Sequence, residues 1–171
     1  MRHPTLTEPL TLEYGTMPRA ELLAALGVAG VELNPSASTL LEEAVFDRPE
    51  PGVVTLVERS VAELGLADGA TLPHLFRAGV ESGLVLCPLD TAPYLRLALP
   101  GQATAPDAVM SNGRAPSASL TIASPPPRAD AEHPKGFYLR VVEGRPWLRG
   151  YRCDDEFRWD PEDSFVFALP R

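Results

Sequence analysis

The 171-residue chain is predicted to be an α+β protein, with N-terminal helices followed by a mainly antiparallel sheet of about five strands. Leu, Ala and Val recur at helical spacing in residues 17–47, whereas short runs after residue 52 alternate apolar and polar residues. We therefore divide the chain into a helical N-terminal segment, 1–52, and an α+β sheet domain, 53–171. The two parts are also compatible with one continuous domain, given the length of the chain.

The helices are predicted from their start signals and apolar stripes. Residues 1–16 carry no such pattern and are expected to be a loosely held lead. Pro18 then lies near the first turn of one helix, Asn34 or Ser36 can cap a second, and a third is expected over residues 72–82.

The strands are predicted from alternation and bounded by Gly and Pro. Residues 100–116 are rich in Gly, Pro, Ala and Ser and form a long loop. The predicted strands are 53–61, 93–99, 117–124, the two arms of a hairpin within 136–153, and 164–169.

The hairpin within residues 136–153, GFYLRVVEGRPWLRGYRC, is the strongest structural signal in the chain. Glu143-Gly144 suits a two-residue turn, because Gly adopts positive φ at low cost. In that register Tyr138 faces Arg149 and Leu139 faces Leu148. Leucine then falls on a core face, and arginine and aromatic side chains fall on the other face.

We call this second face the Arg-aromatic face and extend it to the strand predicted at 93–99. Its candidate ligand-binding residues are Tyr94, Arg96, Tyr138, Arg140, Trp147, Arg149 and Tyr151. Arginine beside Trp or Tyr can simply stabilise a solvated sheet face, and it can equally hold a guanidinium ready for an anion. A third alternative is that helices cover this face and that its arginines pair with local acids.

Composition limits the classes of function. The net charge of −8 argues against general nucleic-acid binding, since phosphate contacts dominate that affinity. The first two helices could form a helix–turn–helix, but the second carries Glu42, Glu43 and Asp47 where base contacts need Arg, Lys, Asn or Gln. Neither a signal peptide nor an apolar run long enough for a membrane span is found, so we expect a cytoplasmic protein.

Catalytic and metal motifs are weak, so the catalytic residues are unknown and no metal or cofactor is expected. Cys87 with His74 could form a nucleophile–base pair, but the apolar context of Cys87 favours a buried, inert thiol. The acids of residues 154–163 do not match a calcium loop and suit turns better. Cys153 and Cys87 are both expected to be reduced in the cytoplasm.

Several short motifs resemble a family of small uncharacterised bacterial proteins, over roughly residues 53–169. They are AELGL at 62–66, GAT at 69–71, GLVLCP at 83–88, PYLRL at 93–97, WLRGY at 147–151, WDP at 159–161 and FVF at 165–167. The resemblance implies no function. Some members carry a helicase label, but this chain lacks the GxxxxGK[ST] phosphate loop that such motors need.

The sequence therefore favours a binding module that uses the Arg-aromatic face for an anionic small molecule, a peptide or a protein partner. The alternative is an enzyme in which the same arginines stabilise charge and Asp154 or Asp155 supplies an acid. The third class is a structural or self-associating protein, for example a homodimer.

Overall fold

The computed structural model describes residues 4–99, 101–109 and 114–171. It confirms the α+β class, with a large sheet and helices packed against it. The strands are β1 (Leu10–Tyr14), β2 (Glu32–Leu33), β3 (Gly52–Ser60), β4 (Ala70–Thr71), β5 (Leu120–Ile122), β6 (Gly136–Val142), β7 (Arg145–Tyr151), β8 (Arg158–Trp159) and β9 (Ser164–Ala168). The helices are α1 (Arg19–Val28), α2 (Pro35–Leu40), α3 (Ala44–Asp47), α4 (Leu72–Glu81) and α5 (Thr91–Ala98), with a 3-10 helix at Ala62–Leu64.

The main sheet differs from the prediction in size and direction. It has seven strands in the order β1-β3-β9-β5-β6-β7-β2, and it is mixed, because β5 runs parallel to β9 and β2 runs parallel to β7. Strands β4 and β8 form a separate two-stranded sheet. The helices do not all precede the strands, since α4 and α5 lie between β4 and β5 in the chain.

The N-terminal residues contribute strands as well as helices. Strand β1, which we predicted to be part of a loosely held lead, pairs antiparallel with β3 over its whole length. Its alternation of Leu10, Leu12 and Tyr14 with polar residues spans only five positions, which is too short to distinguish from a loop by pattern alone. Residues 1–52 thus supply β1 and β2, the strands at the two ends of the main sheet.

Helices cover both faces of the main sheet. On one face, α1, α2 and α5 pack over Phe137, Leu139 and Leu148. On the other face, α4 and the 3-10 helix pack over Phe165 and Phe167. Because successive side chains of β9 alternate between these two clusters, this strand is buried throughout, as expected for a sheet covered on both sides.

The hairpin of β6 and β7 has the predicted register. Tyr138 is opposite Arg149, Leu139 is opposite Leu148, and the turn residues Glu143 and Gly144 have φ values of 52° and 77°. Two positive φ values are the requirement of a type I′ turn. The Arg-aromatic and leucine faces of the hairpin are therefore confirmed.

The strand predicted at 93–99 is wrong, because residues 93–98 belong to helix α5 and Leu99 is its C-cap. The alternation of Leu95, Leu97 and Leu99 suggested a strand. However, Pro93 is the third residue of the helix, where a backbone N–H would have no intrahelical acceptor, so proline removes no hydrogen bond there. In addition, the buried Ala92 and Leu95 are three residues apart, which is helical spacing.

This correction removes Tyr94 and Arg96 from the Arg-aromatic face. The hydroxyl of Tyr94 accepts from the backbone N–H of Met17 at 3.0 Å, in the core on the opposite side of the sheet. Arg96 is 2% exposed and donates to Gln102 Oε1 at 2.7 Å and to Leu99 O at 2.6 Å. Both residues hold α5 against its neighbours.

Among the described residues, no helix has the length and apolarity that a membrane crossing requires.

Candidate functional site

Arg149 is held in place by its aromatic neighbours on the hairpin. Its guanidinium carbon lies 5.0 Å from the ring centroid of Trp147 and 5.8 Å from that of Tyr138. Its Nε donates a 2.6 Å hydrogen bond to the Tyr138 hydroxyl. Because the side chain is half-buried and fixed at Nε, its terminal nitrogens are oriented before any ligand arrives.

A pocket of about 300 Å³ lies beside Arg149 on this face. Of the residues that we predicted for ligand binding, Tyr138, Arg149 and Tyr151 line it, and Trp147 supports Arg149 from outside the lining. The remaining lining residues are Asn34, Ser36, Arg114, Ala115, Pro116, Ser119, Thr121, Gly150, Arg152, Cys153, Phe157 and Trp159.

The start of α2 reaches the pocket because of Asn34 and Gly150. The Asn34 carboxamide caps α2 by accepting from Ala37 N at 2.9 Å, and it also bonds both the N–H and the C=O of Gly150, at 2.8 and 3.0 Å. A Cβ at position 150 would stand 2.6 Å from the backbone carbon of Ser36. Glycine therefore permits the close contact that brings Asn34 and Ser36 to the edge of the pocket.

Arg140 is on the predicted face, but it is not available to a ligand, which corrects its assignment as a binding residue. It is 0% exposed. Its guanidinium donates to Val109 O and Ser117 O, both at 2.8 Å, and to the backbone and side chain of Asp107 at 3.0 and 3.1 Å. Asp107, Val109 and Ser117 thus supply the acceptors that the N–H groups of a buried guanidinium require.

The same contacts position another wall of the pocket. Ser117 and Asp107 flank the chain that supplies Arg114, and the Ser117 hydroxyl donates to Asp107 Oδ2 at 2.9 Å. Hydrogen bonds from Ser117, the Val109 backbone and Arg140 lower the pKa of Asp107. Arg140 thus acts as a positioning residue for Asp107, Val109 and Ser117, which precede and follow Arg114 in the chain.

The charge of the lining is opposite to that of the chain. The fifteen described lining residues include Arg114, Arg149 and Arg152 and no Asp or Glu, although the net charge of the chain is −8. Within the described part of the chain, none of these three arginines forms an ion pair. Asp154, which we considered as a catalytic acid, lies outside the lining and accepts from the backbone N–H of Glu156 and Phe157.

The floor of the pocket is aromatic. The Trp159 ring makes edge-to-face contacts with Tyr151 at 5.5 Å and with Phe157 at 5.4 Å. Trp159 and Tyr151 are 4% and 8% exposed, and neither Trp159 Nε1 nor the Tyr151 hydroxyl has a hydrogen-bond partner among the described residues. Burial raises the pKa of Tyr151, so its hydroxyl stays protonated.

The structure separates the residues of the proposed cysteine–histidine pair. Cys87 is buried, its Sγ contacts Val166 O at 3.6 Å, and burial raises its pKa to about 12. His74 is exposed on α4. Cys153 borders the pocket as a free thiol, and burial raises its pKa to about 11. Neither thiol has the lowered pKa of a nucleophile.

No group of three or more His, Cys, Asp or Glu residues in the described ranges is arranged to hold a metal ion. No family model, curated protein or solved structure matches the chain. The resemblance to small bacterial proteins therefore stays a prediction, and the function has to be inferred from the geometry of the pocket.

Proposed function

We propose that this protein is a binding module that takes an anionic ligand in the pocket beside the β6–β7 hairpin. One observation carries the proposal, namely that three arginines and no carboxylate line a pocket in a chain of net charge −8. Arginine that serves only solubility usually stands among acids that offset its charge. Arginines that are not paired with carboxylates have guanidinium N–H groups free to donate to an anion that arrives from solution.

The three arginines differ in what each can contribute. Arg149 is half-buried and fixed by Tyr138 and Trp147, so binding an anion there costs little side-chain entropy. Arg114 and Arg152 are exposed at the rim. Rim charges mainly attract a ligand and speed its association, whereas a fixed, partly desolvated guanidinium adds affinity.

The pocket is better suited to binding a small ligand or an acidic side chain of a peptide than to catalysing a reaction. The enzyme alternative requires an acid at the arginines, and neither Asp154 nor Asp155 belongs to the described lining. An anionic group on a protein partner could still enter the pocket, with the rest of that partner on the surrounding surface. Turnover of a bound compound would distinguish an enzyme from a binding module.

A thermal-shift screen with carboxylates, inorganic phosphate and their uncharged analogues tests the proposal. We expect stabilisation by anions, confirmed by isothermal titration calorimetry, with affinity that falls as salt rises. Arg149→Met should weaken the binding of each confirmed anion by at least about tenfold, since a hydrogen bond between charged groups contributes roughly 1.5–3 kcal/mol.

Arg77→Met is the matched control, because Arg77 is exposed on α4 and outside the described lining. This control should bind every confirmed anion as the unmodified protein does. The proposal fails if the hits are uncharged compounds or if Arg149→Met binds anions with unchanged affinity.

A further inference from the structure

The size of the pocket limits the ligand to a small molecule or a single side chain. Its volume of about 300 Å³ lies at the lower end of the range of roughly 300–1,000 Å³ that small-molecule sites occupy. A compound with one or two rings fits this space, and a large cofactor does not.

The walls favour a flat ring. Tyr138, Tyr151, Phe157 and Trp159 all line the pocket, and the Trp159 ring already packs edge to face against both Tyr151 and Phe157. Aromatic rings stack or meet at right angles with favourable quadrupole contacts, and a planar ligand can join such a cluster. A saturated ring of the same carbon skeleton is thicker and lacks the quadrupole.

The polar groups of the site favour oxygen acceptors. Trp159 Nε1 can only donate, and it is buried without a partner among the described residues. The Tyr138 hydroxyl accepts from Arg149 Nε, so its own hydrogen is left to donate. Together with the arginines, the Tyr138 hydroxyl offers donors that match the oxygens of a carboxylate and not the N–H groups of an amine.

Building on the proposed function, we infer that the ligand is a planar aromatic acid. Its carboxylate binds Arg149, and its ring lies against Phe157 and Trp159. Both features are needed to specify this class of compound. The arginines alone would accept other anions, and the aromatic cluster alone would accept other apolar rings.

Three compounds of similar size separate the two parts of the inference by isothermal titration calorimetry. They are 2-naphthoate, its saturated analogue decahydronaphthalene-2-carboxylate, and the uncharged 2-naphthylmethanol. We expect 2-naphthoate to bind at least about tenfold more tightly than either analogue. Phe157→Leu should weaken the binding of 2-naphthoate severalfold and leave the saturated acid unaffected, with thermal melting as the check that this variant is folded.

The two tryptophans of the chain provide an independent readout, because Trp159 lines the pocket and Trp147 packs against Arg149 from outside the lining. In a ¹⁵N–¹H spectrum each gives one indole N–H signal, and Trp147→Phe assigns them. We expect 2-naphthoate to shift the Trp159 signal more than that of Trp147. Binding without any movement of the Trp159 signal would place the ligand elsewhere and overturn the inference.

The remaining outcomes distinguish the inference from the proposed function. Equal binding of 2-naphthoate and its saturated analogue would overturn the aromatic assignment and leave anion binding intact. Equal binding of 2-naphthylmethanol would show that charge is irrelevant and overturn the proposed function as well. If none of the three compounds binds while other anions stabilise the protein, the aromatic assignment alone is wrong, and if no anion binds, both are wrong.

Discussion

Arg140 and Arg149 project from the same face of one hairpin into different environments. Arg140 is fully buried, and backbone and side-chain oxygens of Asp107 and Ser117 accept hydrogen bonds from its guanidinium. Arg149 stands beside the pocket and shares its Nε with the hydroxyl of Tyr138. The first arginine therefore stabilises the fold, and the second is available to a ligand.

Substitution by Met should separate these roles in urea unfolding. Arg140→Met leaves the carbonyls of Val109 and Ser117 without a donor, so we expect the free energy of unfolding to fall by about 2–4 kcal/mol. Arg149→Met removes partly solvated contacts and should lower it by about 0–1 kcal/mol. The reverse order would mean that Arg149 holds the fold together and would weaken its assignment to binding.

Asp163 gives a prediction about pH. Burial, together with the charges of Asp160 and Glu162, raises its pKa to about 6. An acid whose pKa is higher in the folded state than its unfolded value of about 3.9 binds protons more strongly when folded. Its contribution to stability is therefore present below about pH 4 and is lost as the pH rises towards 6.

Asp163→Asn should remove this loss. Urea unfolding at several pH values between 4 and 7 should show a flatter profile for the variant and a free energy of unfolding higher by about 1–3 kcal/mol at pH 7. Asparagine retains an oxygen to accept from the backbone N–H of Asp160. Asp68→Asn, at an exposed turn, is the control, and an effect of equal size there would show that general charge reduction is the cause.

The sequence predicted which face each hairpin side chain would occupy, but not how deeply each would be buried. Alternation and the Glu143-Gly144 turn were enough to set Tyr138 opposite Arg149. The burial of Arg140 depends on Asp107, Val109 and Ser117, which belong to no strand and follow no periodic pattern that would place them. Trp159 was missed for a similar reason, because β8 has two residues and pairs with β4 in a different sheet.

Among the elements, the junction of α2 with β7 determines the shape of the pocket edge. Asn34 serves as both the cap of α2 and the partner of Gly150, so that one carboxamide joins helix and strand. Asn34 was one of two candidate caps in the sequence, the other being Ser36, whereas its contact with a residue 116 positions away could not be predicted. For α5, the alternation of leucines predicted a strand, while other buried residues have helical spacing. The segment is a helix, because its packing against the sheet outweighs the local pattern.

Gly150→Ala should disrupt this junction. A Cβ at position 150 would stand 2.6 Å from Ser36 C and 2.8 Å from Ala37 N. Because both are backbone atoms, the clash can be relieved only if α2 moves away from β7. We expect a loss of about 1–3 kcal/mol in the free energy of unfolding, measured by urea denaturation, with weaker anion binding because Asn34 is displaced.

Gly27→Ala in α1 is the matched control, because a Cβ there meets nothing within 4 Å. It should raise stability by roughly 0.5–1 kcal/mol through helix propensity. Equal stability of the two variants would mean that α2 does not pack tightly against β7.

At the scale of the whole molecule, the N-terminal third is interwoven with the rest. Residues 1–52 contribute β1 to one end of the main sheet and β2 to the other, and α1 and α2 cover the core face of the hairpin. Removing them would expose Leu139 and Leu148, which are both 0% exposed in the full chain. Burial of a leucine contributes about 1.5–3 kcal/mol, which is a large fraction of the stability of a typical domain.

We therefore predict that the chain unfolds as one cooperative unit and that residues 53–171 do not fold alone. Urea unfolding of the full chain should give coincident transitions by tryptophan fluorescence and by far-ultraviolet circular dichroism. The shorter chain should lack near-ultraviolet circular dichroism and should aggregate, because one face of its sheet is uncovered and the paired sides of β3 and β7 become edges. A shorter chain that unfolds cooperatively, with stability close to that of the full chain, would instead establish residues 1–52 and 53–171 as separate domains, and the loss of Asn34 and Ser36 would then be expected to affect ligand binding alone.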